Sequence, residues 1–267
     1  MTRMRIGGSG AASARLLSEK ERERYSRQLL LSSWGEEAQL RLRAATVFVA
    51  GAGGLGSAAA LYLAAAGVGC IRICDRDKVE LSNLNRQILH AERDVGTFKA
   101  ASARKAVARL NGEVTVVPLT AEITAENVGE LSAGADILLD CLDNVRSRLV
   151  LNRHSVSTRV PMVHAGVRGL GGQLTFLRPP ATPCLACFME EAPVLAPAGR
   201  ADAEPSPPPI LGAVAGAMGC LQALEAVKFL TGIGERAEGR IVFLDGEMMK
   251  FEVAEIARRP DCPVCGK

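Results

Sequence analysis

Apolar and polar positions fall along this chain in two kinds of block. Short apolar runs of strand length occupy 44–50, 70–74, 115–119 and 135–140. Between them lie stretches of helical period: 57–67, 99–110, which is amphipathic through Ala103, Ala106, Val107 and Leu110, and a short helix over 125–131. Strands alternating with helices predict a parallel sheet built by right-handed crossovers, with any ligand at the carboxyl ends of the strands. A helix over 144–157 and a strand over 161–167 follow. The run 173–177 then alternates apolar with polar, which predicts that the sheet turns antiparallel. A long helix over 211–230 stops at Gly232, and strands over 240–244 and 250–254 close the pattern. Ahead of the first strand, 17–43 is charged and helical, with Leu29, Leu30 and Leu31 as its apolar element and a turn near Gly35.

The first strand runs into the turn Gly51-Ala-Gly53-Gly54-Leu-Gly56, and the second ends on Asp75. Strand, glycine turn, helix, strand and acid form the dinucleotide-binding fingerprint. Its glycines let the backbone approach phosphate, the helix N-terminus faces the anion, and an acid about 20 residues further on takes the ribose. Gly56 is followed by Ser57-Ala58 where a Walker-type loop needs Lys and Ser/Thr, so this is not such a loop. A close helix–strand contact is the plain alternative, and a dinucleotide and ATP both fit at this point. The fold class is α/β: a Rossmann-like, mostly parallel sheet with a C-terminal antiparallel extension.

The segment after Asp75 bears on the choice of ligand. It is polar, Asp75-Arg-Asp77-Lys-Val-Glu-Leu-Ser-Asn83-Leu-Asn85-Arg86-Gln87, where an ordinary dinucleotide fold makes a short connection. A polyphosphate carries more charge than a pyrophosphate diester and calls for extra cations, which Arg86 and Lys99 could supply. A solvated loop with surface charges is the alternative. Asp140 and Asp143 stand at the end of a strand together with Asp75 and Asp77, and acids converging beside a triphosphate suit Mg²⁺, which takes hard oxygen ligands. For Asp140, a strand-end hydrogen-bond acceptor is the equal alternative.

Cys184-Leu-Ala-Cys187 and Cys262-Pro-Val-Cys265 supply four thiolates in two knuckle-like turns, the set a tetrahedral structural Zn²⁺ takes. Their long separation requires tertiary folding to assemble the site; a redox pair is the competing reading. His164, on an apolar strand, reads as a core histidine, and Cys141 and Cys220 as packed residues. His90 and His154 have no visible partner. The stretch 188–209 is rich in Pro, Ala and Glu and is expected to form a mobile loop.

Composition narrows the classes. With 267 residues, 48% of them hydrophobic, the chain can bury a full core, and one large domain is favoured over two. A net charge of +3 and 4% aromatic residues argue against a nucleic-acid face. No apolar stretch reaches about 18 residues, which argues against a membrane span. The opening Met1-Thr-Arg-Met-Arg-Ile lacks a signal core, so a cytoplasmic protein with a loose leader over 1–17 is expected. Eight cysteines in such a setting serve metal or packing rather than disulfides.

Six motifs occur in a fixed order between about 18 and 266. They are Arg24-Tyr-Ser-Arg27-Gln28, the glycine turn, Asp75-x-Asp77, Ser82-Asn83-Leu-Asn85-Arg86-Gln87, Val95-Gly-x-x-Lys99 and Asp140-Cys-Leu-Asp143-Asn144. In this the chain resembles the MoeB/ThiF/HesA family, ATP-dependent activators of small ubiquitin-like sulfur-carrier proteins and relatives of ubiquitin-activating enzymes. The resemblance implies one adenylation domain over 18–267 with a crossover loop at about 188–210. It implies adenylylation of the Gly-Gly carboxylate at the C-terminus of a ubiquitin-like carrier, with release of pyrophosphate and with ATP, Mg²⁺ and Zn²⁺ as cofactors. Gly51, Gly53, Gly54 and Gly56 would admit the nucleotide, Asp75 would hold the ribose with Asp77 beside it, and Asn83, Arg86, Gln87 and Lys99 would serve the phosphates. Asp143 would bind Mg²⁺.

Spacing alone makes Arg27 a helix-surface charge. The resemblance makes it a phosphate ligand reaching into the partner of a homodimer. Many members carry a cysteine in the crossover loop that takes over the activated acyl group; here Glu204-Pro-Ser-Pro-Pro-Pro209 stands in its place. That absence is closest to the molybdopterin-synthase type, while thiamine, cysteine or siderophore pathways and peptide modification stay open. A non-catalytic or peptide-modifying member, and an NAD- or FAD-dependent oxidoreductase, are the remaining alternatives.

Overall fold

The structure, a computed structural model, describes residues 16–189 and 209–266. The expectations for a leader over 1–17 and a loop over about 188–210 fall almost wholly outside those residues. Three helices open the described chain, α1 (Glu19–Arg24), α2 (Ser26–Leu29) and α3 (Gly35–Ala44). Ser18 starts α1 with a capping box, its side chain accepting from the Glu21 N–H while the Glu21 carboxylate accepts from the Ser18 N–H.

The alternation then begins: β1 (Thr46–Ala50), α4 (Gly54–Ala66), β2 (Cys70–Cys74), α5 (Lys99–Leu110), β3 (Thr115–Leu119), α6 (Val128–Leu131) and β4 (Ile137–Asp140). It continues through α7 (Val145–Thr158), β5 (Met162–Arg168), β6 (Gly171–Leu177), α8 (Gly212–Thr231), β7 (Arg240–Asp245) and β8 (Lys250–Glu255).

Among the described residues the strands form one sheet in the order β3-β2-β1-β4-β5-β6-β7-β8. The pairs from β3 to β5 are parallel, and every pair from β5 to β8 is antiparallel. The direction changes at the strand whose sequence alternates, as expected. Val47, Val49, Ile137 and Leu139 pack into one apolar layer, while Phe48 and Leu138 pack into another with Leu151 and Met162. That double burial is why β1 and β4 read as unbroken apolar runs. Strand order reverses where β1 lies beside β4, and such a switch point opens a crevice at the carboxyl ends of the strands.

The helix α8 is 20 residues long and, by length and composition alone, apolar enough to cross a membrane. This corrects the expectation that no such stretch exists. Here it packs on α4 and against β5 and β6. A Cβ at Gly219 would stand 2.3 Å from the Leu55 carbonyl oxygen. Gln222 in its middle donates to the carbonyls of Asp140 (2.8 Å) and Val163 (3.1 Å), so its apolar surface serves the sheet.

Candidate active site

The glycine turn joins β1 to α4 at the switch point. Gly51 is in a left-handed conformation (φ 99°), and a Cβ there would stand 2.7 Å from the Cys141 carbonyl oxygen. A Cβ at Gly56 would come within 2.0 Å of the Gly51 carbonyl oxygen. At Gly53 the only neighbour is Gln87 Nε2, at 3.8 Å, so that glycine leaves its backbone open to the cleft. His90 braces the turn. The Ala52 carbonyl can only accept, so the 3.0 Å contact is an N–H donated by His90 Nε2, and Nδ1 lies 2.9 Å from Ser102 Oγ. Burial lowers the His90 pKa below its ordinary value, which keeps the ring neutral in this role. His90 therefore has two partners where none was visible in sequence.

In front of the turn is a cleft of about 1070 Å³. Gly51, Gly53, Gly54, Asp75, Asp77, Arg86, Gln87, Lys99 and Asp143 all line it. Asp75 accepts from the backbone N–H groups of Ala52 and Asp77, each at 2.8 Å, which aims the carboxylate at the mouth of the turn. Burial pushes its pKa up from the ordinary value, against the opposing charge of Lys99. Lys99 is buried and reaches Asp77 at 3.2 Å. Arg86 donates to the Ser82 carbonyl and to Asn85 Oδ1, each at 3.0 Å. Gln87 is buried, and its Oε1 has no hydrogen-bond partner among the described residues.

Asn83 differs from its neighbours. It is buried, its Oδ1 accepts from the Glu80 N–H, and it caps the turn over Leu81–Asn83 instead of lining the cleft; Asn85 lines it.

The four acids expected to converge also separate. Asp143 is exposed in the cleft and makes no hydrogen bond or ion pair among the described residues, which leaves both oxygens for a cation. Asp140 is fully buried below the floor. It accepts from His164 Nδ1 at 2.7 Å and from the Leu142 N–H at 3.2 Å, with Arg148 Nε at 3.8 Å. Burial opposes its charge, but Arg148 and the His164 hydrogen bond outweigh that and hold its pKa below the ordinary value. Asp140 is thus the strand-end acceptor and not a metal ligand.

Arg27 lies elsewhere. In its motif, Arg24 donates to the Leu110 carbonyl, the Tyr25 hydroxyl accepts from Asn111, and Gln28 donates to Gln39 and the Ala66 carbonyl. These contacts fasten the end of α1 and α2 to the body. Arg27 stays exposed, outside the chain's own cleft and without a partner among the described residues.

The two Cys-x-x-Cys turns do meet. The sulfurs of Cys184, Cys187, Cys262 and Cys265 all lie within 4.8 Å of one another, with pairs at 3.7 and 3.4 Å. A disulfide needs about 2.05 Å. Four thiolates at about 2.3 Å from a central Zn²⁺ stand about 3.8 Å apart, so the set fits that ion. Asn152 donates to Cys184 Sγ at 3.6 Å, a contact of the kind that orients a metal ligand. None of the four cysteines lines the cleft.

The profile of the ThiF family matches residues 25–264. The chain belongs to the ThiF family. SAMP-activating enzyme E1 of Haloferax volcanii is 42% identical over 257 residues, spanning 94% of this chain and 91% of the relative. Adenylyltransferase and sulfurtransferase MOCS3 of Mus musculus is 41% identical over 263 residues, spanning 94% of this chain and 54% of that longer protein. Escherichia coli MccB, solved with ATP, matches with a TM-score of 0.79 at 25% identity, over 93% of this chain and 75% of that one. With these relatives, the ThiF-family chain is an adenylyltransferase.

Sequence reasoning missed several residues of this ThiF-family cleft. Arg148 and Gln173 line it alongside the expected residues, and Gln222 supports it from α8. Arg148 belongs to a helix whose N-cap, Asn144, was in view, but only the fold shows that Arg148 turns back to the Leu142 carbonyl.

Proposed function

We propose that this chain adenylylates the C-terminal carboxylate of a small ubiquitin-like carrier protein ending in Gly-Gly, using ATP and releasing pyrophosphate. One observation carries the reading: the cleft joins a nucleotide-type turn at Gly51–Gly56 to an open track over the antiparallel strands, lined by Gly166, Gln173, Phe243 and Glu252. A nucleotide needs the first part. An extended polypeptide end fits the second.

A carboxylate is already ionised at neutral pH, so the reaction requires no nucleophile from the enzyme. It requires alignment with the α-phosphate and offset of phosphate charge. Asp75 would take the ribose hydroxyls, and the Gly53 backbone N–H and the Gln87 NH₂ would donate to the polyphosphate, with Arg86 and Lys99 as cations. Asp143 would hold Mg²⁺, which supplies positive charge to the phosphate oxygens. Arg27, which does not line its own cleft, would serve that of the partner in a homodimer. The four cysteines would hold Zn²⁺ as a structural ion. Residues 190–208 contain no cysteine, so that segment supplies no thiol to accept the acyl group as a thioester.

The test is exchange of labelled pyrophosphate into ATP in the presence of a ubiquitin-fold carrier. The expected result is exchange that disappears when the terminal Gly-Gly is deleted. Exchange that ignores the deletion, or none with any such carrier, would overturn the reading.

A further inference from the structure

The buried Asp140 and His164 and the half-buried Gln173 form a row that admits one arrangement of protons. Ionised Asp140 can only accept, so its 2.7 Å contact with His164 is an N–H donated by Nδ1. Burial holds His164 below its ordinary pKa, against the pull of Asp140, so the ring is neutral and Nε2 is bare. The group 3.3 Å from that nitrogen is then the Gln173 NH₂, donating. The amide is fixed with its nitrogen inward, and its Oε1 accepts no hydrogen bond among the described residues.

Gln173 lies on the cleft floor, opposite Gly166 on β5. A Cβ at Gly166 would stand 3.4 Å from Arg148 Nη1 and 3.5 Å from Gln173 Nε2, so a bulkier side chain would fill the gap between them. On the other side Gln173 pairs with Phe243 and Phe243 with Glu252, which carries the floor across β6, β7 and β8. An extended tail ending in two glycines offers mainly backbone N–H and C=O groups. An oriented amide carbonyl beside a position without a side chain is a matching receptor.

We infer that Gln173 binds the backbone of the incoming tail through Oε1, and that His164 is a positioning residue that sets the direction of that amide. The inference rests on the adenylylation reading above and adds the contact that recognises the tail. Gln173 and His164 make no hydrogen bond to the nucleotide turn among the described residues, so tail affinity and ATP affinity should separate.

The experiment measures pyrophosphate exchange with a ubiquitin-fold carrier ending in Gly-Gly, for wild type, Gln173→Met, His164→Asn and the double variant. Gln173→Met is expected to raise the carrier KM about tenfold, the order of one lost hydrogen bond, and leave the ATP KM within about twofold. In His164→Asn the new amide can still donate to Asp140 but offers nothing at Nε2, so the carrier KM rises about threefold with little change in Tm. In the Gln173→Met background His164→Asn should add nothing, because no amide remains to be oriented.

An unchanged carrier KM in Gln173→Met, ATP and carrier KM rising together, or additive effects in the double variant would each overturn the inference while adenylylation stands. A wild type that binds ATP yet never exchanges takes both down. If His164→Asn does not fold, the KM split in Gln173→Met decides alone.

Discussion

The carbonyl oxygen of Gly51 occupies the space where a Cβ of Gly56 would be, 2.0 Å from that position. The first turn of α4 is seated directly on the end of β1, and the obstacle is backbone, which cannot rotate away. Gly56→Ala is therefore expected to lose about 1–3 kcal/mol of stability, a Tm drop of several degrees, and to weaken ATP binding at temperatures where the variant is folded. Thermal unfolding with and without ATP checks this; a variant with unchanged Tm and ATP affinity would contradict the packing.

Asp143 offers the reverse case, since it is exposed and makes no hydrogen bond or ion pair among the described residues. Asp143→Ala should leave Tm within about 1 °C while pyrophosphate exchange falls about a hundredfold or more. Near-normal exchange would refute its assignment to Mg²⁺.

The placement of Arg27 outside its own cleft makes complementation possible. Arg27→Ala and Asp143→Ala should each be inactive alone. Unfolded and refolded together, they should regain about a quarter of wild-type exchange, because half of the dimers are mixed and each mixed dimer has one complete site. No recovery in a mixture shown to contain mixed dimers would exclude action across the interface.

Zinc should be measurable at one equivalent per chain, and its removal by a chelator should lower Tm by about 10 °C or more. Burial opposes ionisation of Cys262, but the N–H groups of Cys265 and Val264 outweigh it and bring its pKa down to about 7. Cys262→Ser should lose the metal and stability yet keep ATP affinity when folded, since the cluster is remote from the cleft. A metal-free protein of unchanged Tm would remove the site.

Stability should depend on pH with a definite sign. His90, His154 and His164 all have pKa values lowered, chiefly by burial. The unfolded chain takes up protons near pH 6.5 that the folded chain refuses, so this contribution is complete above about 6.5 and is lost as pH falls through the lowered values. Asp140, also lowered, adds a loss of the same sign in the carboxylate range. Asp75 is raised and acts oppositely, relieved of a penalty on acidification. The urea midpoint should fall from pH 7.5 to 5.5, and fall less in His164→Asn; a flat midpoint would contradict this.

What could be read beforehand was local in the chain. Thr115–Leu119 emerged as β3 with the expected limits. The helix expected from 57 begins at Gly54, because the last glycines of the turn are already helical and their poor propensity conceals it. Each Cys-x-x-Cys is complete within four residues, so the pairing of the two was legible without a fold. Contacts made by strand register were not. Asp140 meets His164 because they are partners across parallel β4 and β5, and His90 meets Ala52 from a different element altogether. Asn83 and Asn85 share one short motif, and only the course of the turn decides which of them faces the cleft.

The backbone on either side of residues 190–208 is held in place. Upstream, Cys184 and Cys187 are gathered with Cys262 and Cys265. Downstream, Gly169 donates to the Pro209 carbonyl and accepts from Leu211, which ties the start of α8 to the β5–β6 turn. A single residue at that turn therefore couples the entry of α8, which lines the glycine turn through Ala215, to the strands that carry Gln173.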